Sequence, residues 1–80
     1  MGPPKIASFV LDSIDIVLQS LAVLEESPEV TELRGRAIDC RTKVLQWTMR
    51  PPTTEEREKM MQTVLGLHIA VAKLKALRRR

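Results

Sequence analysis

The sequence predicts an all-α fold: a three-helix antiparallel bundle, or a helical hairpin carrying a third helix, that dimerises into a larger helical bundle. Three observations lead there. Apolar residues recur at intervals of three and four through most of the 80 residues. Proline and threonine clusters interrupt that pattern twice, and no stretch alternates with the period of two that a half-buried strand requires. The chain reads as one domain, residues 1–80, and a domain of this size buries only about 60% of its unfolded surface, so packing or association must be efficient.

The first helix is expected over 4–25. Pro4 suits the first helical position because its missing N–H has no partner there. Ala7, Val10, Leu11, Ile14, Val17, Leu18, Leu21 and Leu24 form its main stripe. Ser27-Pro28-Glu29 then supplies a cap, a first-turn proline and a carboxylate that favours a helix N-terminus, starting a second helix over 28–49. The short link makes the two helices antiparallel neighbours. Val30, Leu33, Ala37, Cys40, Val44 and Trp47 form the second stripe, and Gly35 suggests a close approach of another backbone. Pro51-Pro52 ends this helix. The third, over 54–78, opens on Thr53-Thr54-Glu55-Glu56, which has capping-box spacing. Its stripe is Met60, Val64, Leu67, Val71 and Leu74, flanked by Met61, Leu65, Ala70, Ala72 and Leu77.

Composition narrows the class. With 44% hydrophobic and 29% charged residues the chain lies outside the disordered range. A single cysteine, Cys40, excludes an intrachain disulfide and suits a cytoplasmic protein. The longest apolar run, 6–11, is far shorter than the roughly 18 residues of a membrane span, so neither a span nor a signal peptide is expected.

The net charge of +3 accumulates toward the C-terminus. Lys73, Lys75, Arg78, Arg79 and Arg80 could bind phosphates, which makes an accessory nucleic-acid-binding protein the alternative reading. Cations in a last helical turn are also favoured by the macrodipole. With only Phe9 and Trp47 as aromatics, there is no stacking platform for bases, and the dipole explanation carries more weight.

Catalytic signals are sparse. His68, in His68-Ile69-Ala70-Val71-Ala72-Lys73, is similar to the exposed histidine of histidine phosphotransfer domains, which implies a phosphotransfer-like bundle. The close Lys-Gly of that family is absent, and a boundary histidine holding one hydrogen bond is the simpler expectation. Glu32-Leu33-Arg34-Gly35-Arg36-Ala37-Ile38-Asp39 resembles the opening of helical chorismate mutases, which implies Arg34, Arg41 and Lys43 around a dicarboxylate. That likeness spans eight residues of the middle helix, whereas the family places it in the long first one. One histidine and one distant cysteine do not make a metal site. No catalytic residue, metal, cofactor or small-molecule substrate is expected, and the chain reads as a non-enzyme.

What remains is apolar surplus. Phe9, Ile16 and Val23 recur every seven residues on the side of helix one away from its stripe, and Ile38 and Leu45 form a second row on helix two. Leaving each wet forgoes about 1.5–3 kcal/mol, large against a stability of roughly 5–10 kcal/mol. Either helix one is central in the bundle or these rows meet another molecule, most economically a second copy about a two-fold axis. Trp47 is added as a possible anchor, since tryptophan is enriched in binding hot spots, or else caps the bundle end. Met60-Met61 is expected as core filler. The functional expectation is a non-catalytic interaction module (adaptor, regulator or chaperone), homodimeric and binding another protein, with Phe9, Ile16, Val23, Ile38, Leu45 and Trp47 at its contacts.

Overall fold

The computed structural model describes residues 5–77. Three helices, α1 (Lys5–Ala22), α2 (Pro28–Gln46) and α3 (Thr54–Leu77), pack in pairwise contact as an up-down-up bundle with extents of 46 × 20 × 18 Å. Pro4 and Arg78 to Arg80, to which helix-start and anion-binding roles were assigned above, lie outside the described residues.

The core is the three stripes meeting. Ala7, Val10, Ile14, Val17 and Leu21 of α1, the six stripe residues of α2 and the five of α3 are buried. Leu11, Leu18 and Leu24, expected in the main stripe of α1, are only partly buried and pack against its edge. No buried side-chain nitrogen or oxygen among the described residues lacks a partner, so the interior is apolar and satisfied.

Caps define the turns. Ser27, in extended backbone, accepts the Val30 N–H at 3.2 Å, with Pro28 in the first turn of α2. Thr53 accepts the Glu56 N–H at 3.1 Å while the Glu56 carboxylate accepts the Thr53 N–H at 3.0 Å, completing the capping box. The Thr53 backbone N–H, helped by the neighbouring Thr53 hydroxyl, holds the Glu56 carboxyl below its ordinary range. Because its folded pKa is depressed, Glu56 adds stability above the unfolded value near 4.5, and that share disappears as pH falls through the folded value. Glu56→Gln is therefore expected to flatten the acid limb of a thermal-stability profile and leave the slope above pH 6 unchanged.

Two helices end earlier than expected. α1 stops at Ala22, and Leu24 N–H turns back to the Leu21 carbonyl at 3.1 Å to begin the reversal. α2 stops at Gln46, where Trp47, Thr48 and Met49 tighten into bonds to residues three back, the usual loosening of a last turn. Gly35 also differs from expectation: a Cβ placed there meets nothing within 4 Å. The glycine faces solvent, and no backbone approaches it. Gly35→Ala should therefore raise stability by about 1 kcal/mol, measurable as a shifted urea midpoint at unchanged slope.

Candidate apolar interface

Three surfaces lie between the helix pairs, and they differ in chemistry. On the α1/α3 side, Ser13 and the Nε2 of His68 are 2.8 Å apart. Phe9, Val10, Met61, Val64 and Leu65 join them around a hollow of about 190 Å³. Ile6 shares a second hollow with Met61 and Thr54. These contacts place the start of α1 beside the start of α3, so the two helices run parallel. At about 100° per residue, Phe9 and Ile16 project outward along this groove on one side, and Met61, Leu65, Ala72 and Ala76 on the other, with Ile69 a little further round; Val23, expected in the same row, lies beyond the end of α1 and lines a hollow with Leu24, Glu25 and Glu26 at the turn into α2.

The exposures decide the central-helix rival. Phe9 is 62% exposed, Ile16 55%, Val23 78% and Leu65 60%, with Met61 and Ile69 also exposed. α1 packs against both other helices, yet the bundle leaves its second row in solvent. Only singly scattered apolar residues are ordinary on a surface; here five, Phe9, Ile16, Met61, Leu65 and Ile69, lie along one groove.

The α1/α2 side is mixed. Arg41 and Asp15 approach to 3.8 Å across it, and Glu26 makes a bidentate contact with Arg34 near its end. That contact, chiefly its hydrogen bond, lowers the Glu26 pKa and raises that of Arg34. Ile38 and Leu45 flank Arg41 at three and four residues' distance, exposed beside the half-buried Leu11 and Leu18. The two rows expected to act together therefore lie apart: Phe9 and Ile16 border the α3 side of α1, Val23 lies at the turn into α2, and Ile38 and Leu45 face α1 from the other side.

The α2/α3 side is polar. A hollow of about 550 Å³ at its end is rimmed by Lys43, Arg50, Glu56 and Lys59 over Trp47 and Met60. Arg50 reaches Glu56 at 3.6 Å and Lys59 reaches Glu55 at 3.7 Å. Trp47 is only 6% exposed and belongs to the core. It seals the bundle end, and its ring is not offered to solvent as a hot-spot anchor would be. Cys40 is buried beside it, and burial pushes its thiol up from the ordinary range, which keeps it protonated and unreactive.

Among the remaining candidates, Met60 is core as expected whereas Met61 is exposed. His68 is half-buried with Nε2 engaged by Ser13. Lys73 and Lys75 sit two residues apart, so they project to nearly opposite sides of α3 and do not form one stripe. No group of three metal-ligating side chains occurs among the described residues.

Sequence reading missed the contribution of α3 to the apolar groove. Its signal was the recurrence of Met61, Leu65, Ile69, Ala72 and Ala76 beside the stripe. The same surplus makes α3 long and apolar enough, by length and composition, to cross a membrane, a property that the search for unbroken apolar runs overlooked. Its stripe is nonetheless the third wall of the core. Comparison with known proteins finds no match to this chain among family models, curated proteins or solved structures.

Proposed function

We propose that this protein is a non-catalytic protein–protein interaction module whose α1/α3 groove is a dimer interface. The observation that supports the reading is the exposure of Phe9 and Ile16 on α1 alongside Met61, Leu65 and Ile69 on α3 in the single chain. Large contiguous apolar patches on small domains mark contact sites. A second copy is the occupant, because one self-complementary patch then serves both subunits.

A role as adaptor, regulator or chaperone follows from the other groove. Ile38 and Leu45 lie on the opposite flank and stay open in such a dimer, available to a different protein. Sedimentation equilibrium at micromolar concentration tests the reading. A dimer is expected, with Phe9→Asp or Ile16→Asp returning a 9.1 kDa monomer. A monomer throughout, or co-sedimentation with lipid vesicles in place of self-association, overturns it.

A further inference from the structure

We infer that the α2/α3 hollow binds a small amphipathic anion, a carboxylate or phosphate head on a short apolar stem, with the stem against Trp47 and Met60 and the head at Lys43 and Lys59. The site is separate from the α1/α3 groove, so it stands whether or not that groove is a dimer interface.

Helical spacing builds the hollow. Lys43, Trp47 and Arg50 follow one another at four and then three residues along one side of α2 and its last turn, and Glu56, Met60 and Thr63 repeat that interval at the start of α3. The two helices run in opposite directions, and Arg50 reaches Glu56 at 3.6 Å. Counting away from that pair sets Trp47 near the level of Lys59 and Met60, and Lys43 near the level of Thr63. The floor is Cys40, Trp47 and Met60, all buried members of the core, whereas Lys43, Arg50 and Lys59 stand exposed around it. Its volume of about 550 Å³ falls within the roughly 300–1,000 Å³ of small-molecule sites, which share this plan of an apolar base with a few polar groups.

The sign of the rim decides the ligand. Three cations, Lys43, Arg50 and Lys59, share the lining with one carboxylate, Glu56. That carboxylate is already engaged, accepting the Thr53 N–H and pairing with Arg50. Lys59 approaches Glu55 one turn back on its own helix at 3.7 Å, with both side chains exposed, and such surface pairs hold weakly. Lys43 has no ion pair among the described residues. Burial keeps the Cys40 thiol of the floor protonated, so it adds no negative charge. The negative pole at the end of α2 lies beside the positive pole at the start of α3; these offset each other and leave the side chains to set the field. An anion without a stem gains only a solvated contact, and a neutral apolar molecule leaves both ammonium groups unanswered. A molecule with both features uses the whole hollow.

Trp47 is the only tryptophan of the chain, so its fluorescence reports occupancy of the floor. Titration of the full chain at low salt with octanoate and with octyl phosphate is expected to give a saturable change with a Kd at or below about 1 mM, the range for about ten non-hydrogen atoms. The tighter of the two identifies the head. Octylammonium, with the same stem and opposite charge, and acetate and inorganic phosphate, with no stem, are each expected to bind roughly tenfold more weakly or worse. Lys43→Gln/Lys59→Gln is expected to weaken the tighter ligand about tenfold, with unchanged helix content by circular dichroism because both side chains are exposed. Lys73→Gln/Lys75→Gln, an equal change of charge elsewhere on α3, should leave it within about twofold of the parent. No saturable binding of either anion, octylammonium binding as tightly as the anions, or equal effects of the two double variants overturns the site.

Discussion

Trp47→Ala should destabilise the protein by about 3–5 kcal/mol, the range for removing a large aromatic from a packed core. Trp47 follows the last residue of α2, and its 6% exposure places it inside the cluster with Cys40, Val44 and Met60. An alanine leaves a cavity at the end of the core, beside Cys40 and Met60. Against a total of roughly 5–10 kcal/mol for a domain of this size, the variant stands near its unfolding limit. Urea titration followed by circular dichroism measures this, because the only tryptophan is lost. A surface anchor would give the opposite pattern, with an unchanged urea midpoint and a loss only in partner binding. A cost under about 1 kcal/mol, the ordinary range for exposed positions, would refute the core assignment.

The second large effect separates two isoleucines two residues apart. Ile14 is fully buried and Ile16 is 55% exposed. Ile14→Ala is expected to cost about 2–5 kcal/mol, while Ile16→Ala should leave the diluted monomer within about 0.5 kcal/mol of the parent. The proposed dimer predicts the reverse order under association: Ile16→Ala is expected to weaken it on the order of tenfold, equivalent to about 1.4 kcal/mol. Paired denaturation curves at low and high protein concentration distinguish these outcomes, because linkage makes the stability of an associating protein rise with concentration. Equal effects of the two substitutions on the isolated monomer would contradict the burial assigned here.

Helix number, order and core were legible because each helix has a strong start signal and a stripe at helical spacing. All six residues expected in the α2 stripe and all five in that of α3 are buried. Helix ends were less legible. Val23 and Leu24 prolong the apolar text of α1 after its backbone has begun to turn, since apolar spacing records burial and not hydrogen bonding. Gly35 misled for a related reason: one glycine carries no sign of whether it faces a neighbour or water. The joining of rows into faces could not be read at all. Periodicity gives the angle of a row on its own helix, but the handed order of three helices decides whether Phe9 borders α3 or α2. The Ser13–His68 contact settles that order, and neither residue advertises the other in sequence.

That contact also fixes when the groove comes into existence. α1 and α2 are joined by five residues, α2 and α3 by seven, so each adjacent pair can close locally at little entropic cost. The α1/α3 wall requires contacts spanning most of the chain, and such non-local closure is the slow event in folding. A chain with only its first two helices formed has Phe9 and Ile16 but no Met61, Leu65 or Ile69 beside them. Its first and last helices must dock before the complete groove exists. Any partner that reads both walls of that groove, the proposed second copy included, therefore meets only the folded chain.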